Sequence, residues 1–397
     1  MIPGSTRLKS RLASVVVAIA TVPAIARASP APLPHVAVGR IVRLEETSRF
    51  VPPHTVDVWL PPNYPAQAPY AVLYMFDGQM LFDATRTWNH QSWRAADTAA
   101  ALIRSGRTRP FIIVGIWNAG ARRESEYYPQ KAWLALEEAQ RDRVRHMDLM
   151  LPVDPYSDAY LRFLVEELKP RIDERFRVAT DPADTVVMGS SMGGLMAWYA
   201  MAEYPTVFGG AGCLSTHWPG TALEPRRRNP SPDAFVAYLK THAPAAADHR
   251  IYFDHGTATL DAMYARTQER VDRLFRARGY TVRNFRSQVF PGAAHTEDAW
   301  AARLDEPMRF LLPPREPDHP PRAGAVPTAH AATAIAVAVW IPRYGAKTIA
   351  REKPYVAELK DGVWIVHGSL PPGAIGGVAE ARISAADGRI LGVTHGQ

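Results

Sequence analysis

Cysteine is almost missing from this 397-residue chain. Cys213 stands alone, so no internal disulfide forms and the fold must be held by packing. Long apolar runs are missing too. The one candidate, Leu12 to Ala26, is shorter than the roughly 20 residues a spanning helix needs, and Pro23 interrupts it. Arg7, Lys9 and Arg11 precede that run, and Ala26-Arg27-Ala28 follows it with the small residues a signal peptidase prefers, so residues 1–28 read as a cleaved secretory signal. With no cysteine in that region, a lipid-modified N-terminus is excluded. The expected product is a periplasmic or secreted protein without stable membrane insertion.

Strong charge is lacking as well. Of the formal net charge of +7, four cations sit in residues 1–28 with no acid beside them, which leaves +3 for the rest. That is too small an excess to support nucleic-acid binding. The cluster Arg226-Arg227-Arg228 reads as a solvated loop, with binding of an anionic substrate or surface as the lesser alternative. Metal-ligand spacing is absent: Asp77 and Asp83 are neighbouring carboxylates, but no histidine accompanies them at ligand distance in the chain. Neither a metal nor a cofactor is expected.

What remains is 47% apolar and 10% aromatic, enough for a large core plus a smaller unit. Pro313 to Pro327 holds six prolines in fifteen residues and reads as an extended linker, dividing residues 29–312 from residues 328–397. In the first unit, short apolar runs alternate with helical patterns. The runs are Thr55–Leu60, Tyr70–Phe76, Phe111–Trp117, Thr185–Met188, Gly210–Leu214, Ile251–Phe253 and Val282–Phe290. The helical patterns are Asp158–Phe176, Leu195–Glu203, Asp261–Arg278 and Glu297–Leu312. This alternation predicts an α/β fold, a mostly parallel sheet with helices on both faces. In the second unit, a helix over Ala329–Tyr344 with Ile335, Val339 and Trp340 on its apolar stripe precedes four strands. Asp361-Gly362 and Asp387-Gly388 mark hairpin turns, which predicts a small α+β domain.

Val186 to Ala200, "VVMGSSMGGLMAWYA", carries Gly189-x-Ser191-x-Gly193 between a strand pattern and a helix pattern. At such an elbow the serine sits in strained backbone, and glycines on either side let the strand turn into the helix without a clash. Ser191 is therefore the candidate nucleophile, and the Met192 N–H at the helix start the candidate oxyanion donor. A serine hydroxyl needs a base oriented by a carboxylate, and in this order both follow it in the chain. His295, in "FPGAAHTEDAW" beyond the last strand pattern, is the candidate base. Asp261, on the loop after "YFDHG", is the candidate acid, with Asp254 in reserve and a helix N-cap as the competing role for Asp261. The Asp77-Gly78 turn offers the Gln79 N–H as second oxyanion donor.

The segments "VDVWLPPNYP", "VLYMFDGQMLFD", "GIWNAGARRESEYYP", "VVMGSSMGGLMAWYAMAEYP", "YFDHGTATLDAMY" and "FPGAAHTEDAWAARL" resemble the enterochelin esterase and esterase D branch of the α/β hydrolases over residues 40 to 313. The resemblance implies a serine esterase acting on a small-molecule ester. It implies Ser191 as nucleophile, His295 as base and acid, and the Gln79 and Met192 amides as oxyanion hole. Siderophore lactones, feruloyl-type esters and simple acyl esters all remain open, as does acyl transfer on the same fold. Trp117, Tyr127, Tyr128 and Trp218 are the candidate stacking residues for substrate. The C-terminal segment is similar to nuclear transport factor 2-like domains of the immunity-protein type, which implies a protein partner for that domain. It leaves open a non-catalytic, inhibitory alternative for the whole chain.

Overall fold

The computed structural model describes residues 32–147, 151–221, 228–315, 326, 328–371, 373 and 376–396. The stretch 1–28 expected to be a secretory signal, most of the expected linker 313–327, and Arg226 and Arg227 of the arginine cluster lie outside the described residues.

Eight strands form the large sheet: β1 (Arg40–Glu46), β2 (His54–Leu60), β3 (Ala71–Phe76), β4 (Phe111–Ile116), β5 (Thr185–Ser190), β6 (Gly210–Leu214), β7 (Arg250–Gly256) and β8 (Phe285–Phe290). Their order is β1-β2-β4-β3-β5-β6-β7-β8. From β4 through β8 every neighbouring pair is parallel, while β1 and β2 close one edge antiparallel. The strand β3 shows why the sequence folds so. All six of its residues are buried, as a strand covered on both faces requires. Its two-residue period sends Val72, Tyr74 and Phe76 into one apolar layer and Ala71, Leu73 and Met75 into the other.

The first layer is covered by helices that include α1 (Arg123–Tyr127), α2 (Met192–Glu203), α3 (Ser231–His242) and α4 (Ala265–Ala277), through Tyr127, Trp198, Phe235 and Phe275 among others. The second lies under the helix Ala95–Arg104 and under α5 (Glu297–Ala301) and α6 (Asp305–Leu311), through Leu102, Trp300 and Leu311. Because β3, β5, β6, β7 and β8 run the same way, the loops after them gather at one sheet edge. Ligand sites of open parallel sheets form at that edge.

Boundaries differ from the sequence expectation in physically clear places. The helix expected from Asp261 starts at Ala265, because Thr259–Met263 is a 3-10 turn and the Asp261 side chain is engaged elsewhere. The pattern Glu297–Leu312 divides at Ala302–Leu304 into α5 and α6. Val282 is 89% exposed, and β8 begins only at Phe285. Strand β1 and the helices Ala95–Arg104 and α3 had no sequence expectation. The first has charged residues throughout an edge position, and the second is so alanine-rich that its apolar face carries little contrast.

The C-terminal unit has a helix, α7 (Ala329–Tyr344), on a four-stranded antiparallel sheet of order β12-β11-β10-β9. These strands are Val356–Lys360 (β9), Val363–His367 (β10), Ala379–Ser384 (β11) and Ile390–His395 (β12). The buried stripe of α7 is Ala332, Ala336 and Trp340 rather than Ile335, Val339 and Trp340. Four-residue spacing aligns those three along one face, and the two alanines let the helix lie close to Val366, Ala379 and Ala381.

Candidate active site

The elbow is visible in the backbone. Ser191, between β5 and α2, has φ 56 and ψ −122. A side chain in that region costs of order 1–3 kcal/mol and persists only where the surroundings enforce it. They do so through main-chain bonds. Ser191 N–H donates to the Leu214 carbonyl at 3.0 Å, and the Ser191 carbonyl accepts from Gly194 N–H at 3.0 Å and His217 N–H at 3.1 Å. Glycine at 189 is obligatory, since a Cβ there would lie 2.7 Å from the Gly193 carbonyl carbon and oxygen. The Met192 N–H, first in α2, has no intrahelical acceptor and lies at the positive end of the helix.

The second amide-bearing turn lies against this elbow. Asp77 follows β3 in left-handed conformation at φ 58, and Gly78 begins a 3-10 turn that carries Gln79. Close packing fixes the turn, because a Cβ on Gly78 would come 2.5 Å from the Gly115 carbonyl carbon. The Asp77 carboxylate, 6% exposed, accepts from Arg123 through Nε at 2.7 Å and Nη2 at 2.7 Å, and from Asn118 Nδ2 at 2.7 Å. Burial opposes the Arg123 charge, but Asp77 more than offsets it and holds the guanidinium pKa above its ordinary value. A Cβ placed on Gly193 would lie 3.3 Å from Asp77 Oδ2, so the two turns touch. The amides of Gln79 and Met192 thus belong to adjoining segments.

His295 and Asp261 come from the loops after β8 and β7. His295 Nδ1 is 2.6 Å from Asp261 Oδ1, with the Asp261 side chain fully buried and that of His295 10% exposed. The other carboxylate oxygen, Oδ2, accepts from Ser215 Oγ at 2.6 Å and Gly256 N–H at 2.5 Å. Burial works against the carboxylate, but the His295, Ser215 and Gly256 bonds prevail and hold Asp261 below its ordinary pKa. His295 is further fixed by its N–H donating to Thr259 Oγ1 at 2.8 Å and by ring contacts with Tyr264 and Trp300.

Asp254, the reserve acid, makes no bond to His295. Its carboxylate is gripped by Arg303, Nε to Oδ2 at 3.1 Å and Nη2 to Oδ1 at 3.0 Å, and both residues are at most 4% exposed. Burial pushes the Asp254 carboxyl up, against the pull of Arg303. Arg303 Nη2 also donates to Ser215 Oγ at 3.0 Å, and Trp300 Nε1 does so at 2.9 Å. Ser215 therefore links the Asp254–Arg303 pair to the carboxylate facing His295. It sits at φ 42, directly after β6. Asn118, Arg123, Trp300 and Arg303 lie in segments that carry the family resemblance, but no motif assigns them or Ser215 a role, and only the fold brings them together.

His217 reaches the same neighbourhood. Its Nδ1 accepts from Tyr264 Oη at 2.7 Å and its Nε2 donates to the Thr221 carbonyl at 2.9 Å, a pattern that uses both ring nitrogens of a neutral imidazole. Burial is the leading reason its pKa is pushed down to about 4.

Three of the four stacking candidates are corrected. Tyr127 and Tyr128 are 0% and Trp218 1% exposed, so none has a face open to substrate. Each polar end is spent inside the protein: Tyr127 Oη accepts from Asp77 N–H, Tyr128 Oη donates to Ser231, and Trp218 Nε1 donates to Gln268. The sequence could not separate them from surface aromatics, because they stand beside polar loop residues while packing onto the sheet face. Trp117 is half-buried, with Nε1 donating to Asp57 at 3.0 Å and Arg43 over its ring at 4.9 Å.

Residues 48–311 match the family model described as "Putative esterase", and residues 331–397 match "NTF2 fold immunity protein". A protein of Bacillus subtilis (strain 168), YbbA, itself uncharacterised, is 25% identical over 169 residues, 42% of this chain and 58% of that relative. This chain thus matches less than two thirds of that relative's length. Among solved structures, an IroE-like serine hydrolase from Shewanella oneidensis superposes with TM-score 0.51 at 18% identity, covering 69% of this chain and 80% of the other. A ferulic acid esterase superposes with TM-score 0.50 at 17% identity, covering 69% and 98%. At these identities the likeness shows the fold, the α/β-hydrolase sheet.

Proposed function

The chain belongs to the putative esterase family through residues 48–311, and from that premise we propose that it is an exported serine esterase that cleaves a carboxylic ester through an acyl-enzyme on Ser191. The observation that carries this reading is the His295–Asp261 pair at 2.6 Å, on loops at the sheet edge that also holds the Ser191 elbow. With Nδ1–H held by a buried carboxylate, the His295 Nε2 is the free nitrogen. It takes the Ser191 proton as Oγ attacks the ester carbonyl, and returns it to the departing alkoxide. The tetrahedral oxyanion is received by the N–H groups of Gln79 and Met192, each contributing about 3 kcal/mol to the transition state. Water, activated by the same imidazole, then releases the acid. Cys213 takes no part: it is buried, and burial holds its thiol up in the neutral form.

The domain division follows the same reading, with a secretory signal over 1–28, the esterase over 29–312, a linker over 313–327 and an accessory domain over 328–397. A match of residues 331–397 to an immunity-type fold supports a protein partner for the accessory domain. Export is checked by fractionating cells that produce the full chain. The activity is tested with a panel of short p-nitrophenyl esters, a feruloyl ester and a siderophore-type lactone. Wild type hydrolyses at least one class and Ser191→Ala none. Equal turnover by both proteins overturns the assignment of Ser191.

A further inference from the structure

Gly78 and Gln79 also form one wall of a cavity of about 260 Å³ that no step above uses. Its other walls are Pro32, Pro34, Phe82 and Trp117, together with the charged side chains of Arg43, Asp57 and Arg86. The apolar walls suit a ring-sized group. The charges do not cancel evenly. Asp57, 1% exposed, is saturated by Arg43 Nε at 2.7 Å, Arg43 Nη2 at 2.7 Å and Trp117 Nε1 at 3.0 Å. Buried and held by three donors, it has little left to offer a ligand, and its charge is matched by the Arg43 guanidinium that forks onto it. Arg86 is exposed, at the end of the turn Ala84–Arg86, and among the described residues no hydrogen bond or ion pair occupies its guanidinium. Asp83, three residues before it, gives its carboxylate to His35 N–H and to Thr85, and attracts Arg86 by charge without a bond to it.

Gln79 lines the cavity and also carries the amide assigned to the oxyanion. The same turn touches the serine elbow, since Asp77 Oδ2 would stand 3.3 Å from a Cβ on Gly193. On the esterase reading, an ester whose carbonyl oxygen accepted from the Gln79 N–H would have this wall beside one of its two arms. We infer that the cavity is a specificity subsite for an aromatic arm carrying an anionic substituent, the ring held between Phe82, the prolines and Trp117 and the anion received by Arg86. This rests on the esterase reading of Ser191 and names the substrate class for that site.

The test is a comparison of kcat/KM within two ester pairs. 4-Nitrophenyl 4-carboxybenzoate against 4-nitrophenyl benzoate probes the acyl arm, and 4-carboxyphenyl acetate against phenyl acetate probes the alcohol arm. Wild type is expected to favour the carboxylate member of one pair by about tenfold or more. Arg86→Gln is expected to remove most of that preference and Arg86→Lys to keep part of it. A ratio within twofold in both pairs overturns the inference, and so does a preference unchanged in Arg86→Gln. The position of Arg86 on the surface keeps folding out of the result, and thermal melting of both variants checks this. Ser191→Ala, run beside them, separates the two failures: if it still hydrolyses these esters the nucleophile is wrong, whereas a dead Ser191→Ala with a flat Arg86 ratio condemns the subsite alone.

Discussion

Replacing Asp261 by asparagine changes almost no shape, and the surrounding bonds dictate what the amide must do. Oδ2 accepts from Ser215 Oγ and from Gly256 N–H, so the amide oxygen has to stay on that side. The amide NH2 then faces His295 Nδ1, now 2.6 Å from Oδ1. A donor facing Nδ1 forces that nitrogen to accept and moves the imidazole proton to Nε2, the nitrogen that must be empty to take the Ser191 proton. The wrong tautomer costs about 10³- to 10⁴-fold in kcat, roughly 4–5.5 kcal/mol at 1.36 kcal/mol per decade. The assay is steady-state hydrolysis of a short p-nitrophenyl ester, with KM nearly unchanged. Asp254→Asn is the control. It breaks the buried pair with Arg303, so its effect falls on stability, about 3–5 kcal/mol in urea unfolding, with kcat within about tenfold of wild type once folded. If Asp261→Asn stays within tenfold of wild type while Asp254→Asn abolishes turnover in a stable protein, the two carboxylates have been assigned in the wrong order.

Ser215→Ala leaves Arg303 and Trp300 with a buried unmatched donor each and takes one bond from Asp261. It is expected to lower unfolding free energy by about 1–3 kcal/mol and kcat about tenfold, and wild-type values for both would contradict that linkage. His217 titrates at about 4 in the folded protein and near 6.5 when unfolded, so between those values the unfolded chain binds the extra proton and stability rises with pH. Because the unfolded imidazole is half protonated at pH 6.5, the slope starts below the full value of about 1.36 kcal/mol per unit, and its contribution falls by roughly 1.6 kcal/mol from pH 6.5 to 5. Urea melts of wild type and His217→Gln at those two pH values should differ in slope by that amount, and parallel curves would refute it. Gly189→Ala drives a methyl group to 2.7 Å from the Gly193 backbone and should destabilise the fold by about 2 kcal/mol or more, read as a lower melting temperature.

How far the sequence carried can be traced residue by residue. β5 and the start of α2 were readable because strand-turn-helix patterning and the glycines at 189, 193 and 194 report a local backbone demand, and the positive φ of Ser191 is that demand met. The loop position of His295, after the last strand pattern, was readable, and the structure sets the imidazole 2.6 Å from Asp261. Between the carboxylates, the loop position after β7 favours Asp261 over Asp254, but it does not show what occupies Asp254. That is Arg303, 49 residues beyond Asp254, claiming one carboxylate and leaving the other to His295. Local pattern has no access to such a pairing. The buried state of Tyr127, Tyr128 and Trp218 escaped for a similar reason: their loops look polar in sequence, while the fold turns these rings onto the sheet face. The buried stripe of α7 is hidden in the sequence because alanine gives little hydrophobic contrast, although it is what permits close helix–sheet packing.

The most direct test of the account is covalent. Treating the protein with a fluorophosphonate and mapping the adduct by peptide mass spectrometry is predicted to place it on Ser191 alone. Ser191→Ala is predicted to lose both the adduct and ester hydrolysis. An adduct on Ser190 or another side chain, or hydrolysis that persists in Ser191→Ala, would contradict the mechanism at its root.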